Sequence, residues 1–237
     1  MNLLLLSSAD FLSSETVRIS GRRHRHLVDI LHAEPGQSVR AGLLNGQLGE
    51  ARVVSQNHDC TILEVALTSP PPPPVPVTLL LALPRPKALR RLLQGITALG
   101  IKRIVLLNTA RVEKSYWQSP LLTPTAIDEQ LLLGLEQARD THLPQVLLRP
   151  RFRPFVEDEL PGLATGSLCL VAHPDSALPC PCAVAGPVVL AIGPEGGFIP
   201  FETDLLSRQG FGAVHLGARA LRVETAVTAL LGRLLTP

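Results

Sequence analysis

The sequence contains few aromatic residues. One Trp, one Tyr and six Phe make up 3% of its 237 residues. Proteins that hold single-stranded RNA by stacking bases on rows of exposed rings depend on such side chains. We therefore do not expect a base-stacking platform in this protein.

Long hydrophobic runs are missing as well. Apolar stretches such as Val77 to Leu83 and Val188 to Ile192 are far shorter than the ~20 residues that a membrane-spanning helix requires. The opening run of four leucines, Leu3 to Leu6, has no basic residue before it and is followed by Ser7, which favours a buried first strand over a signal peptide. We expect a cytoplasmic protein without a membrane partner.

Cysteine is equally scarce. Four cysteines, Cys60, Cys169, Cys180 and Cys182, are too few for a disulfide scaffold in a chain of this length. Cys180 and Cys182 are separated by a single residue, and with His173 they lack the second ligand pair of a zinc site. We expect structural thiols and no metal.

Excess charge of either sign is absent, because 22 basic residues face 20 acidic ones and the net charge is +2. This balance does not attract nucleic acid by itself, so any RNA contact must depend on where the arginines cluster. A content of 46% hydrophobic and 18% charged residues excludes a disordered chain. Arginines cluster in three segments, at residues 18–25, 85–91 and 149–153.

Proline is abundant at one place, since six of the eight residues from Ser69 to Pro76 are proline. Such a run favours an extended spacer without helix or strand pairing. We predict a first domain over residues 1–69, a Pro-rich linker over 70–76 and a second domain over 77–237.

The first domain has the pattern of a small antiparallel β-barrel, in which short apolar segments alternate with turns such as Asn45-Gly46. One helix is predicted from Arg23 to His32, with Leu27, Ile30 and Leu31 on its buried face. The predicted strands are 38–43, 49–55 and 61–67.

The second domain alternates strands and helices, which is typical of an α/β fold. Gly100 stands where a left-handed cap would end the first of these helices. The predicted strands are 77–83, 104–107, 145–148, 167–172, 188–192 and 213–216, and the predicted helices are 87–99, 124–138, 201–209 and 224–235.

Two strand-to-helix junctions of this domain contain the candidate site. The first is Ile192 followed by Gly193-Pro194-Glu195-Gly196-Gly197-Phe198, and the second runs from Leu216 to Thr225. In an open α/β sheet the loops at the carboxyl ends of strands form the ligand-binding crevice, and glycine lets main-chain groups approach a ligand closely. Neither of the two familiar phosphate-binding loops, the Walker loop and the dinucleotide motif Gly-x-Gly-x-x-Gly, is present.

Together the two junctions resemble the signature of the SPOUT-class ribosomal RNA uridine-N3 methyltransferases. After Gly193 to Phe198, the second match reads Leu216-Gly217-x-Arg219-x-Leu221-Arg222-x-Glu224-Thr225-Ala226. Further similarities are Leu93-Gln94 through Leu99-Gly100, Glu136-Gln137 with Pro144, and His173-Pro174 at a strand end.

The resemblance implies a C-terminal SPOUT-type α/β domain with a trefoil knot, preceded by a PUA-like RNA-binding β-barrel. It further implies S-adenosyl-L-methionine as the cofactor, a homodimer, and methylation of N3 of a uridine in the 16S ribosomal RNA of the small ribosomal subunit. The cofactor-binding residues that it implies are His173, Ile192, Gly193, Glu195, Gly196, Gly197, Leu216, Gly217, Leu221, Arg222 and Thr225.

Loss of the uridine N3 proton leaves negative charge that an arginine can stabilise. Arg222 and Glu224 are the predicted catalytic residues. Glu224 is equally well explained by its position at the positive end of a helix dipole. Glu195 either caps a helix or binds the ligand. The predicted RNA-binding residues are Arg22, Arg23, Arg25, Arg90 and Arg219.

The sequence departs from the family pattern at the N-terminus, which lacks the usual arginine, and at His32, Ala98 and Arg139. These departures concern the RNA-binding side more than the cofactor loops. Methylation of another RNA or base, and a noncatalytic RNA-binding or ribosome-assembly role, therefore remain alternatives.

Overall fold

The structure, a computed structural model, describes residues 2–235. Met1, where the departure from the family's N-terminal pattern begins, and residues 236–237, at the end of the predicted second domain, lie outside the described residues. The chain forms two compact units. One contains the residues up to Pro73 together with Leu131–Leu143, and the other contains Pro74–Gln130 together with the residues from Pro144 onwards.

The first unit is built on a mixed five-stranded sheet in the order β1-β3-β4-β5-β2. The three predicted strands are confirmed, whereas β2 has no counterpart in the sequence analysis. Antiparallel pairing was expected throughout, but β1 is parallel to β3, with Leu4 opposite Ala41. The strands are β1 (Leu4–Leu6), β2 (Thr16–Ser20), β3 (Ser38–Leu43), β4 (Leu48–Gln56) and β5 (Cys60–Ser69).

The helix of this unit differs from its prediction. It runs as α1 over Gly21–Arg25 and continues as a π-helical turn over His26–Ile30. Leu27 is buried as predicted, but Ile30 is 64% exposed and Leu31 is 44% exposed. The five-residue spacing of the π turn, in which the Leu31 N–H donates to the His26 carbonyl, shifts the 3.6-residue periodicity on which the prediction depended.

The second unit has a six-stranded parallel sheet in the order β11-β9-β10-β6-β7-β8, which confirms the α/β prediction. The four predicted helices are each confirmed to within one residue at either end. The elements are β6 (Val75–Ala82), α2 (Pro86–Ala98), β7 (Ile101–Leu107), α3 (Pro124–Ala138), of which the residues from Leu131 onwards belong to the first unit, β8 (Gln145–Arg149), α4 (Phe152–Pro154), α5 (Leu160–Ala164), β9 (Leu168–Ala172), β10 (Val188–Ile192), α6 (Pro200–Arg208), β11 (Gly212–Val214) and α7 (Val223–Leu234).

Local sequence explains several boundaries in this unit. Pro86 occupies the first turn of α2, where its missing N–H costs nothing, and Gly100 follows the helix with a φ of +86°, as predicted. Strand β6 begins at Val75 and so extends into the predicted linker. Pro76 is tolerated there because the pairing with β7 shifts register between Val75 and Thr78.

The sheet order places β10 between β9 and β6. All five residues of β10 are buried, as expected for an inner strand of a parallel sheet that is covered on both faces. None of the helices within residues 2–235 has both the length and the hydrophobicity of a membrane span.

Candidate functional site

The candidate site lies at the carboxyl ends of β10, β9 and β11. These strands are parallel neighbours in the sheet, so their ends lie along one edge, where open α/β sheets bind ligands. The loops that leave them line a cavity of about 240 Å³. Its wall includes the strand-end residues Ala172, Ile192 and Val214. The two junctions identified in the sequence therefore meet at one cavity.

The first junction is a tight turn, Gly193–Phe198, which we call the glycine loop. The Gly197 N–H donates to the Pro194 carbonyl at 2.8 Å, and Gly197 has a φ of +73° that side chains disfavour. Phe198 is 5% exposed and packs in the core, with its ring centroid 6.2 Å from that of Phe152. A Cβ on Gly193 would lie 3.1 Å from the Phe198 nitrogen, so the start of the loop fits only glycine without a shift.

The second junction leaves β11 and leads to α7. Gly217 has a φ of +112°, and its N–H donates to Nδ1 of His215 at 2.9 Å. Arg219 and Leu221 are exposed and line the cavity. The imidazole of His215 thus fixes the backbone of the residue at which this loop turns.

Two arginines from other strand ends contact the glycine loop. The Arg111 guanidinium donates to the Gly196 carbonyl, and Nε of Arg85 lies 3.5 Å from Oε1 of Glu195. Glu195 also acts electrostatically on Tyr116: burial, together with repulsion from the carboxylates of Glu113 and Glu195, raises the pKa of the Tyr116 phenol. Both arginines are far from the loop in sequence, but Arg111 contacts its main chain whereas Arg85 contacts only an exposed side chain.

A buried carboxylate anchors the end of the glycine loop. Glu202 in α6 is 3% exposed, and its two oxygens accept the N–H groups of Ala110 at 2.7 Å and Ile199 at 3.0 Å. In the second contact, the side chain of the third residue of α6 satisfies the N–H of the residue that caps the helix, Ile199, whose own apolar side chain makes no cap bond. Two main-chain donors compensate the buried charge and tie residue 110 to residue 199.

Nine of the eleven predicted cofactor-binding residues line this cavity. Arg222 and Thr225 do not; they line a separate groove between α2 and α7, together with the predicted catalytic residue Glu224. Arg91 and Ile96 form part of the α2 side of this groove. The nine that the structure brings together are His173, Ile192, Gly193, Glu195, Gly196, Gly197, Leu216, Gly217 and Leu221.

The predicted RNA-binding arginines have different surroundings. In the first unit, Arg22 is paired with Glu136 and Arg23 with Asp10, the latter at 2.7 Å, whereas Arg25 is exposed without an ion-pair partner among residues 2–235. In the second unit, Arg90 lines a separate cavity beside Lys87 at the start of α2. Arg219, as noted, borders the candidate site.

The cysteines are all free thiols. Cys180 is fully buried, and burial raises the pKa of its thiol, while Cys182 is exposed. No group of three or more potential ligands among the described residues is arranged to hold a metal ion.

Sequence reasoning missed three residues that shape the site: His215, Arg111 and Glu202. His215 directly precedes the Leu216-Gly217 motif, so its position at the strand end was a usable signal. Glu202 is an acidic residue at the third position of α6 after Pro200, which was a signal for its contact with Ile199 but not for its contact with Ala110, 92 positions away. Arg111 had no signal, since its partner is 85 positions away.

Comparison with known proteins shows which family the chain matches. Residues 71–235 match the family described as the RNA methyltransferase domain. A protein of Treponema pallidum named ribosomal RNA small subunit methyltransferase E is 32% identical over 97% of this chain and 88% of its own length. A protein of Borreliella burgdorferi named ribosomal RNA small subunit methyltransferase E 1 is 21% identical over 97% of this chain and 95% of its own length.

Solved structures agree on the fold. The ribosomal RNA small subunit methyltransferase E of Neisseria gonorrhoeae, bound to S-adenosyl methionine, superposes with a TM-score of 0.74 at 22% identity, over 98% of this chain and 95% of that one. A methyltransferase of Legionella pneumophila described as putative, solved with bound SAM, superposes with a TM-score of 0.74 at 23% identity, over 97% of this chain and 95% of that one.

Proposed function

Because the chain belongs to the RNA methyltransferase domain family, we propose that it transfers a methyl group from S-adenosyl-L-methionine to N3 of a uridine in 16S ribosomal RNA. The observation that carries this proposal is the meeting of both motif-bearing junctions at one cavity. Relatives named as small-subunit methyltransferases support the class of RNA, and SAM-bound structures of the same fold support the cofactor. We propose that the reaction takes place in the cytoplasm.

The residues of the cavity fit this cofactor. Most small-molecule sites are lined mainly by apolar side chains. Here Ile192, Leu216 and Leu230 form an apolar wall against which a planar base can pack. At Gly217 an added Cβ would meet no atom within 4 Å, so its main chain borders open space that a ligand can enter. S-adenosylmethionine supplies an electrophilic methyl group on a sulfonium centre.

The target nitrogen must lose a proton, since uridine N3 is a weakly acidic imide. Positioning and charge stabilisation then supply the catalysis, without a redox or hydrolytic step. We propose that Arg222 and Arg219 stabilise the uracil oxygens. Arg219 lines the cavity, whereas Arg222, three residues further on, lines the separate groove between α2 and α7. Glu224 lies in the first turn of α7, where its negative charge interacts favourably with the helix dipole, and it lines the same groove as Arg222.

RNA binding is assigned in this proposal to arginines of both units. Arg25, exposed on α1, and Arg90, beside Lys87, are free to contact phosphates, which position the RNA without reading its sequence. Arg22 and Arg23 contribute to RNA binding only through the guanidinium surface that their ion pairs leave exposed. The first unit is proposed to be PUA-like.

A trefoil knot in the second unit is part of the same proposal. The segment between β9 and β10 bonds to the end of α7: the N–H groups of Ala183 and Val184 donate to the carbonyls of Arg233 and Leu234, each at 3.1 Å. Nε of Arg233 in turn donates to the Cys180 carbonyl at 2.5 Å. These contacts hold the end of α7 against the loop between β9 and β10, as a knot in this region requires.

Mass spectrometry of nucleosides tests the proposed reaction. Small-subunit RNA from cells that lack the gene should have no N3-methyluridine at one position, and the purified protein with S-adenosylmethionine should restore it. A different methylated nucleoside would favour another base or RNA, and restoration of none would favour the noncatalytic alternative.

A further inference from the structure

We propose that Arg111 is a positioning residue for the cofactor: its guanidinium fixes the Gly196 carbonyl and thereby holds the glycine loop in its ligand-binding conformation. The inference rests on the proposed function and deepens it, because it names a residue outside the motifs that sets the affinity for S-adenosylmethionine.

The first argument is that one peptide group is held at both ends. The carbonyl of Gly196 and the N–H of Gly197 belong to the same planar unit. Arg111 donates to this carbonyl, while the N–H donates to the Pro194 carbonyl at 2.8 Å. A peptide plane with both of its polar groups bonded cannot rotate, whereas loss of Arg111 leaves only the bond within the turn.

The second argument is the packing of the arginine stem. A Cβ on Gly196 would lie 3.0 Å from Cδ of Arg111, which is closer than carbon atoms normally approach. The aliphatic part of Arg111 therefore lies directly over the bare α-carbon of Gly196. Gly196 has no positive φ that would disfavour a side chain, but any side chain here would have to displace the stem of Arg111.

The third argument is that Arg111 is itself anchored. The buried carboxylate of Glu202 accepts the N–H of Ala110, which directly precedes Arg111, and the N–H of Ile199, which directly follows the glycine loop. One side chain thus fixes the backbone on both sides of the Arg111 contact. The main chain that carries Arg111 is therefore fixed relative to the main chain that follows the glycine loop.

Arg85 provides a matched control on the same loop. Its contact with Glu195 is between two side chains, at 3.5 Å, with 54% and 41% of the respective side chains exposed. Arg111 and its hydrogen bond are exposed too, so the two arginines differ in their partner and not in their burial. An exposed pair of side chains contributes little, whereas a charged donor to a main-chain carbonyl also fixes the backbone.

Calorimetric titration of the full-length protein with S-adenosylmethionine tests the proposal. We expect Arg111→Ala to weaken binding by about tenfold, as loss of a charge-assisted hydrogen bond implies, and Arg111→Lys to recover part of this loss. Arg85→Ala should bind within about twofold of the wild type. Equal affinity of Arg111→Ala and the wild type, or an equal effect of Arg85→Ala, would overturn the proposal.

Hydrogen exchange without cofactor separates this inference from the proposed function. The Gly197 amide should exchange faster in Arg111→Ala than in the wild type, while the amides of β10 should be unchanged. If the wild type bound no S-adenosylmethionine, the proposed function would fail, and the exchange data would still decide whether Arg111 holds the loop. Faster exchange throughout the second unit would indicate a general structural role and overturn the assignment.

Discussion

The Arg22 guanidinium forms two hydrogen bonds with the Glu136 carboxylate, although the two residues are 114 positions apart. The distances are 3.0 Å from Nη1 to Oε2 and 2.5 Å from Nη2 to Oε1. The Glu136 side chain is only 4% exposed, and its hydrogen bonds raise the pKa of Arg22 against the opposing effect of burial. An arginine predicted to bind RNA is therefore also the partner of a buried charge within the first unit.

Removal of this arginine should destabilise the protein. Arg22→Ala leaves the Glu136 carboxylate buried without its cation, and we expect a loss of about 2 kcal/mol in the free energy of unfolding, less than for a fully buried pair because Arg22 is half exposed. Urea denaturation measures it. Arg25→Ala, the exposed control, should change stability by less than about 0.5 kcal/mol. An unchanged urea midpoint for Arg22→Ala would show that the pair contributes nothing.

Acid should weaken the first unit through Asp10. Burial opposes ionisation of this carboxyl, but hydrogen bonds from Arg23 and Ser7 outweigh it and lower its pKa below the ordinary value of 3.8. When folding lowers the pKa of a carboxyl, its contribution to stability is complete at a pH above its pKa in the unfolded chain. That contribution is lost as the pH falls through its pKa in the folded protein. Thermal melts from pH 6 to pH 2 should therefore show an Arg23-dependent loss below about pH 4. Asp10→Asn should be less stable at pH 6 and should lose less on acidification.

A side chain on the glycine loop should abolish cofactor binding. The Cβ of Gly196→Val would come within 3.0 Å of Cδ of Arg111, and the added methyl groups would displace the loop. Calorimetry should detect no binding of S-adenosylmethionine, while circular dichroism should show a folded protein. The matched control is Gly162→Val, at an exposed position where a Cβ meets nothing within 4 Å. Wild-type affinity in folded Gly196→Val would exclude this loop from the cofactor site.

The arginines should separate into a catalytic and an RNA-binding class. Arg222→Ala and Arg219→Ala should each lower the single-turnover methylation rate at saturating RNA by about 10²-fold, since each would stabilise developing charge. Arg25→Ala should leave this rate unchanged, weaken RNA binding and reduce its salt slope by about one unit. An undiminished saturated rate for Arg222→Ala would leave it as a structural arginine at the start of α7 and assign the role to Arg219 alone.

The protein should sediment as a dimer at micromolar concentration. The expectation comes from the family resemblance alone, since the apolar Leu230 of α7 is buried within the chain and Arg233 donates to the Cys180 carbonyl. Analytical ultracentrifugation should give about twice the chain mass of 25.5 kDa. A species of the single-chain mass would exclude the dimer and any site that a second subunit completes.

Local features of the sequence were sufficient for most elements of the second unit. The bounds of α2 follow from Pro86, Gly100 and apolar residues at steps of three and four, and β10 follows from its continuous apolar run. Both motif-bearing loops were identifiable because each is contiguous in the chain. In the first unit the same periodicity misplaced Ile30 and Leu31, because a π turn changes the helical phase without a marker in composition.

The sequence by itself determined the positions of the long helices and most strands, and which loops have the glycines of a ligand site. Only the tertiary structure decided that β10 lies between β9 and β6, that Arg22 pairs with Glu136, and that Arg111 holds Gly196. Propensity, capping and periodicity act over a few residues, so they leave a signal in the sequence. A contact between residues 85 or 114 positions apart forms only when the whole chain packs, and no local pattern records it.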